Sequence, residues 1–499
     1  MNNQYSMHMC KPVVLKWFAL AVASTFLLIA VPGVMTAQPE KNDRPNIVFF
    51  LVDDLGWKDI GSFGSTFYET PNIDALAAEG MSFLQAYAAS PVCSPTRASI
   101  MAGKNPGRMN TTDWFGAPQP DRVEGHWTQD KPLLPARYQP YLPLEEETIA
   151  EALKQHGYRT FFAGKWHLGR EEKYWPENQG FDVNKGGYHK GQPNNYFSPY
   201  DNPRLSDGPN GEHLPDRLAA ETVDFIKKSG DAPFFAYLSF YSVHNPQQAR
   251  KDLIDKYKEK KEELGLEEKW GQEGDRKVRL IQESAVYAGM VEAMDQAVGK
   301  VIRSIREREI EENTIVIFFS DNGGLSTSEG HPTSNRPLRA GKGWMYEGGI
   351  REPMIIKWPG VTTPGAATQE PVVSMDFYPT ILEAAGLPLQ PEQHRDGKSL
   401  VPLLQGKRMD RGPLYFHYPH YGNQGGSPSS AIRRGDYKLI EFYEDGHTEL
   451  YNISDDMAEQ SNLVDEKPEL VRELKQRLDR WKSSVGARLP SENSRDEAN

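Results

Sequence analysis

The sequence predicts an α/β fold: a large, mostly parallel sheet sandwiched by helices, with a smaller C-terminal α+β subdomain. Three observations predict it. Continuous apolar runs, as buried parallel strands require, recur through residues 43–390. Helical segments that stop at glycine alternate with them. After about Pro391 the chain turns to short strand-like stretches and one amphipathic helix.

Taken in order, residues 1–37 read as an export signal. Lys11 and Lys16 precede an apolar run from Trp17 to Val31, and Pro32, Gly33 and Ala37 supply the break and the small residue for cleavage. The run is short for a membrane span of about 20 residues, which predicts removal and not anchoring. Cys10 lies before it, misplaced for lipid attachment. Asn46 to Val52 is the first buried strand and ends at Asp53-Asp54-Leu55-Gly56. Tyr158 to Ala163 runs into Gly164-Lys165-Trp166-His167, and Pro233 to Tyr241 into Val243-His244-Asn245-Pro246. Thr314 to Phe319 runs into Ser320-Asp321-Asn322-Gly323-Gly324. Every strand thus delivers polar groups at its C-terminal end, the edge where open α/β sheets bind ligands.

Helices are expected over Asn72 to Glu79, Glu145 to His156 and Pro215 to Ser229, stopping at Gly80, Gly157 and Gly230. Residues 247–310 are strongly charged and expected to be mostly helical, with a core face of Val286, Met290, Met294, Val298 and Ile302. Two segments, 105–144 and 171–216, read as long loops that wall a pocket. In the subdomain, 391–490, Pro413 to Tyr418, Ala431 to Tyr443 and His447 to Tyr451 resemble strands and Lys467 to Val485 a helix. Residues 491–499 form a polar tail.

Composition narrows the function. The chain has 57 basic and 69 acidic residues, a net charge of −12. The signal carries only basic ones, so its removal makes the chain more acidic still. This argues against nucleic-acid binding, and the cations for an anionic ligand must be clustered locally. Signal removal also leaves Cys93 as the only cysteine. No intramolecular disulfide can then form, and disulfide-free export suits a bacterial periplasm or exterior.

Chemistry concentrates in Val92 to Gly103, Val-Cys-Ser-Pro-Thr-Arg-Ala-Ser-Ile-Met-Ala-Gly. Pro95 suits the first position of a helix and Gly103 the residue past its end. Cys93 and Ser94 then sit at a helix mouth, where free N–H groups favour an anion, with Arg97 one turn in. A cysteine so placed is a candidate nucleophile. Asp53, Asp54, Asp321 and Asn322 offer only oxygen ligands, which suit Ca²⁺ or Mg²⁺ and not Zn²⁺. A thiolate is a poor neighbour for such an ion, so the set is easier to understand if Cys93 becomes a hard oxygen ligand.

Cys93-Ser94-Pro95-Thr96-Arg97 followed by Ala102-Gly103-Lys104 resembles the signature of the formylglycine-dependent sulfatases, of the alkaline phosphatase superfamily. The other motifs, Asp53-Asp54-Leu55-Gly56, Gly164-Lys165-Trp166-His167-Leu168-Gly169, His244-Asn245-Pro246, Ser320-Asp321-Asn322-Gly323-Gly324 and Gly341-Lys342-Gly343 through Tyr346-Glu347-Gly348-Gly349-Ile350-Arg351, appear in that family's order. Ala340 departs from it, since many relatives carry glycine there. The resemblance implies an alkaline-phosphatase-like fold and hydrolysis of a sulfate monoester. It implies oxidation of Cys93 to 3-oxoalanine (formylglycine) by a maturase, with Ca²⁺ on Asp53, Asp54, Asp321, Asn322 and the modified residue 93, Mg²⁺ being a second candidate. Arg97, Lys165 and Lys342 would neutralise the sulfuryl oxygens, His244, with Lys342, would protonate the leaving alcohol, and His167 would take a proton from the hydrated aldehyde. Export and the loop aromatics point to a sulfated saccharide, with Tyr188, His189, His417 and His420 as candidate pocket residues. Trp114, Trp127, Tyr188 and Tyr196 either stack on sugar rings or pin the loops. A phosphonate or phosphate ester hydrolase of the same superfamily and a carbohydrate-binding protein without catalysis are the alternatives. Sugar, position and oligomeric state stay open.

Overall fold

The computed structural model describes residues 44–494; the expected signal lies outside them. Its centre is a nine-stranded sheet. Reading across it, the strands are Ala366–Thr368, Met81–Tyr87, Arg351–Lys357, Thr314–Ser320, Asn46–Val52, Phe234–Ser239, Arg159–Gly164 and Val183–Lys185, with Val372–Val373 also paired to Met81–Tyr87. Asn46–Val52 pairs in parallel with Phe234–Ser239 on one side and Thr314–Ser320 on the other. Arg159–Gly164 pairs in parallel with Phe234–Ser239. Only Arg351–Lys357 runs against its neighbours.

Why both faces must be covered is visible in the central strand. Asn46–Val52 is buried throughout. Successive strand side chains point to opposite faces. Val48, Phe50 and Val52 join one core with the helices Pro71–Glu79, Leu214–Lys228 and Ala285–Glu307. Ile47, Phe49 and Leu51 join the other with Cys93–Ala102, Ile149–Gln155 and Phe377–Ala384. Phe49 stacks on Tyr237 at 4.8 Å and meets the edge of Phe377 at 4.9 Å. An alternating strand with one polar face would leave one of these cores unmade.

The C-terminal part is a four-stranded antiparallel sheet, Leu414–Tyr418, Ser429–Arg434, Tyr437–Phe442 and Thr448–Asn452. Pro468–Val485 packs Leu474, Leu478, Trp481 and Val485 onto Ile432, Leu439 and Leu450. The sheet's other face buries Phe416, Ala431 and Ile440 against Tyr87, Val92 and Trp344, next to the nucleophile helix.

Several elements differ from expectation: Ala431 to Tyr443 spans two strands that turn between Arg434 and Tyr437, and the strands Met81–Tyr87 and Arg351–Lys357 were not anticipated. Residues 247–310 are not one helical stretch: helices Lys251–Glu263 and Ala285–Glu307 flank a hairpin, Trp270–Glu273 with Arg276–Arg279. Its strands are four residues each, too short to show alternation among so many charges. The helix expected from Glu145 starts at Ile149, where Thr148 accepts from the Glu151 N–H and Glu151 answers at the Thr148 N–H. The polar tail is paired at its start: Ser491–Glu492 forms an antiparallel bridge to Leu133–Leu134. Among the described residues no helix is long and apolar enough to cross a membrane.

Candidate active site

The four parallel strands deliver their polar ends to one place. Helix Cys93–Ala102 begins there, with Val92 as its extended N-cap and Gly103 in the left-handed region (φ 65°) past its end. Pro95 is the third helical residue, not the first. The physical reason is that none of the first four helical N–H groups has an intrahelical partner, so proline costs nothing at either position. Cys93 is therefore the first helical residue, 3% exposed.

Cation–carboxylate pairs build the floor. Lys165 Nζ donates to both Asp53 oxygens at 2.8 Å. Lys342 Nζ donates to Asp54 at 2.7 and 2.8 Å. Arg97 Nε donates to Asp321 Oδ2 at 2.7 Å, and its Nη1 to the Lys165 carbonyl and Ser239 Oγ, each at 2.7 Å. Arg97 Nη2 is buried without a hydrogen-bond partner, 3.7 Å from Asp53 Oδ1. Asn322 Nδ2 donates to Asp54 Oδ1 at 2.8 Å, whereas its Oδ1 is buried and unpaired. Ligand atoms of Asp53, Cys93 and Asp321 lie within 4.8 Å of one another, as do those of Asp54, Cys93 and His244. All of these side chains are buried.

Electrostatics follow from this packing. Burial pushes Asp53 up; Lys165 pulls it down, but Asp321 and Asp54 push it up again. Three carboxylates crowd one site, and the repulsion among them adds to burial in raising Asp53. Burial also raises Asp54, but Lys342, His244 and Lys165 outweigh it and hold that carboxyl well below its ordinary range. Burial would lower Lys342, and Asp54 reverses it. Burial pushes the Cys93 thiol up to about 12. Residue 93 as encoded is a protonated thiol and not an activated thiolate.

Two histidines border the cavity with Cys93. His244 Nδ1 donates to the Asn245 carbonyl at 3.0 Å, which leaves Nε2, 3.6 Å from Asp54 Oδ2, for chemistry. Burial and Lys342 lower its pKa to about 4. His167 Nδ1 lies 3.2 Å from Ser94 Oγ, and burial with Lys165 keeps the ring neutral. Asp54 (φ 61°) and His167 (φ 59°) both occupy the left-handed region, which costs a non-glycine residue roughly 1–2 kcal/mol. So does Ala340 (φ 57°), which explains why glycine suits that position. A Cβ on Gly191 would lie 2.5 Å from the His167 ring, so glycine there is required by the close approach.

Above the floor opens a cavity of about 580 Å³. Cys93, His167, His244 and Lys342 reach it; Arg97, Lys165 and the acidic residues lie beneath. Trp114 and Trp127, 40% and 44% exposed, form part of its wall. Of the four expected pocket residues, only His420 lines it. His420 Nε2 lies 2.9 Å from Thr112 Oγ1 and Nδ1 3.4 Å from Asp113 Oδ2. His417 is placed elsewhere: both its ring nitrogens are engaged, with Ser430 Oγ at 2.6 Å and the Arg488 carbonyl at 2.9 Å, inside the C-terminal sheet. Tyr188 is buried against Trp175 and contributes its carbonyl to the His167 N–H; its ring does not line the cavity. His189 stacks on Trp175, also away from the wall. Tyr196 is fully buried and donates to the Tyr241 and His244 carbonyls, so it pins its loop. Sequence reasoning missed Ser239 on the floor and Asp113, Glu329 and Gln424, which line the cavity, and gave no role to Ser94. Ser94 alone carried a signal, through its place at the helix mouth.

Comparison with known proteins agrees with this geometry. Residues 45–387 match the sulfatase family, and residues 340–484 match the N-sulphoglucosamine sulphohydrolase C-terminal family. A sulfatase of Formosa agariphila is 35% identical over 91% of this chain and 92% of its own length. The Homo sapiens N-acetylgalactosamine-6-sulfatase is 33% identical over 75% of this chain and 68% of its own. The crystal structure of Ps i-CgsB shares the fold with a TM-score of 0.71 at 28% identity, over 88% of this chain and 93% of that one.

Proposed function

This chain belongs to the sulfatase family and is a sulfatase, and from that premise we propose that it releases sulfate from a sulfated saccharide, using Cys93 matured to formylglycine and a hard divalent cation. One observation carries the proposal: Cys93 is where the buried ionic floor and the open cavity meet, within reach of two carboxylate sets and His244. A protonated thiol serves no purpose there; an oxygen group does.

The residues present fit a cation. Asp53, Asp54 and Asp321 supply hard oxygens, and Asn322 Oδ1 is a buried acceptor with no other partner. Burying such an acceptor unsatisfied costs roughly 1–3 kcal/mol, which coordination recovers. Ca²⁺ suits this set, with Mg²⁺ the second candidate. When bound, the ion supplies Lewis-acid polarisation of the nucleophilic oxygen and offsets sulfuryl charge. Formylglycine supplies, as its hydrate, two hydroxyls at the position of the thiol.

This chain's own side chains do the rest. Arg97 Nη2, the unpaired donor, and Lys342, at the cavity edge, hold the sulfuryl oxygens, with Lys165 behind them. As sulfur bonds to the oxygen at residue 93, the bond that would break is S–O to the sugar. Its alkoxide takes a proton from His244 Nε2; an anionic ester beside that ring raises its pKa from the value of the empty pocket. His167, kept neutral, would accept the proton of the second hydroxyl as the carbonyl at residue 93 re-forms and sulfate leaves with the oxygen that had bonded to sulfur. The aromatic wall supports a sugar ring on the apolar side of the cavity. The names of two relatives support the same class: an N-acetylgalactosamine-6-sulfatase, and Ps i-CgsB solved with k-i-k-neocarrahexaose. A signal at 1–37 and a single remaining cysteine support a bacterial periplasmic or secreted enzyme matured by a formylglycine-generating partner.

Cys93→Ala is expected to abolish sulfate release while the protein still folds; retained turnover overturns the reading. In matured protein, the peptide bearing residue 93 is expected to weigh about 18 Da less than encoded, through replacement of sulfur by oxygen with loss of two hydrogens. A free thiol in fully active enzyme would contradict it.

A further inference from the structure

Within this reading, we propose that Glu329 selects the substrate: the pocket takes a saccharide with a free hydroxyl beside the scissile sulfate and rejects one with a second anionic group there. Glu329 lies on the loop after Thr314–Ser320, its backbone in the left-handed region (φ 53°). It lines the same cavity as Cys93, and its charge bears on both His244 and Lys342. Amide groups fix it in place. Oε1 accepts from Asn423 Nδ2 at 2.9 Å and Gln424 Nε2 at 2.8 Å. The Glu329 carbonyl accepts from Asn245 Nδ2 at 3.0 Å. Oε2 receives only a 3.5 Å contact from that same amide. One oxygen is thus anchored and the other is left as an acceptor at the wall.

Charge on the rest of the wall makes the choice sharp. Lys342 is the only lysine or arginine among the lining residues, and Asp54 and the sulfuryl group share it. Asp113, the other carboxyl of the wall, is pushed up to about 8 by burial, and His420 beside it is held neutral by burial. Beneath the wall Arg97 and Lys165 are paired to Asp321 and Asp53, and beside it Lys131 lies over the Tyr421 ring and Lys190 donates to Asn194. A sugar hydroxyl satisfies Glu329 Oε2, whereas a second sulfate or a carboxylate meets the negative charge of Glu329 on a wall whose one lining cation, Lys342, is already paired to Asp54.

The test compares singly sulfated neutral glycosides with doubly sulfated and uronate-bearing counterparts, on matured wild-type enzyme and on Glu329→Gln. Wild type is expected to favour the singly charged esters at least tenfold in kcat/KM. Glu329→Gln, which keeps shape and removes charge, is expected to narrow that ratio at least fivefold, mostly through KM for the doubly charged esters. A second measurement uses calorimetric binding of the same glycosides to Cys93→Ala, where the same ordering of affinities is expected. Equal rates for both classes in wild type, or an unchanged ratio in Glu329→Gln, overturns the assignment of Glu329 while leaving the sulfatase reading intact. No sulfate release from any ester would sink the sulfatase reading and this inference with it.

Discussion

The pocket's floor and its wall hold their polar groups by opposite means. On the floor, Asp53, Asp54 and Asp321 are each in contact with a cationic side chain, Lys165, Lys342 and Arg97, at 2.7–2.8 Å, and all six are buried. On the wall, Glu329, Asp113 and His420 contact neutral donors and acceptors: amides, a hydroxyl, a backbone N–H. Ion pairs in a dry site keep charge fixed where a reaction develops it. Neutral contacts orient groups without committing charge, which suits recognition of hydroxyls. The difference teaches where rate and where selectivity reside.

The largest effect should come from the floor. Lys342→Met removes the cation paired to Asp54 at the cavity edge. It is expected to lower kcat about 10²–10³-fold, the usual loss for one preorganised charge donor. Initial rates on a singly sulfated glycoside check it. A loss below tenfold would mean that Arg97 and Lys165 substitute for it, and the floor would not be a set of individually placed charges. A smaller effect of another kind is expected from the wall. Trp114→Ala removes an aromatic face that is 40% exposed and lines the cavity. Such a contact is made alike in ground and transition states, so KM should rise roughly tenfold with kcat little changed. A fall in kcat with constant KM would erase the distinction between floor and wall.

That distinction also decides what was legible in the sequence. Of the floor residues only Lys342, in a glycine-rich turn, does not lie directly after an apolar strand or at a helix mouth, and their chemistry tolerates few residue types, so Asp53, Arg97, Lys165 and Asp321 could be picked out together. Wall residues carry no such constraint. Glu329 is tied to Gln424, 95 positions along the chain. Asp113 meets Tyr418 across a wider gulf, 305 positions, from a loop without periodicity. His417 shows the cost of guessing: a histidine alternating with aromatics on a strand is placed by the strand's period, and that period turned it to the face covered by Pro468–Val485, against Trp481. The sheet itself was readable because a strand buried on both faces is apolar throughout, as Asn46–Val52 is.

The smallest effect extends the comparison beyond the pocket, to a buried carboxylate without a cation. Asp295 caps the helix Pro71–Glu79 from outside, accepting from Ile73 N–H at 2.8 Å and Asn72 Nδ2 at 2.6 Å, where Thr70 supplies no side-chain cap. Burial raises its pKa from 3.8 to about 6 despite those donors, the opposite of Asp54, where Lys342 outweighs burial. The sign of the pH effect follows. Below pH 4 Asp295 is protonated in both folded and unfolded chains and costs nothing. Between about pH 4 and 6 the unfolded chain loses that proton while the folded one keeps it, so stability falls as pH rises, by at most roughly 3 kcal/mol. Above about pH 6 the loss is complete and this group adds no further slope. Asp295→Asn removes the titration but can keep the contact to the Ile73 N–H. Its denaturant midpoint is therefore expected to fall less than that of wild type across this window. Parallel profiles for the two proteins would mean that neutral donors alone offset the burial of Asp295, so that a carboxylate in this interior needs no cation to stay ionised.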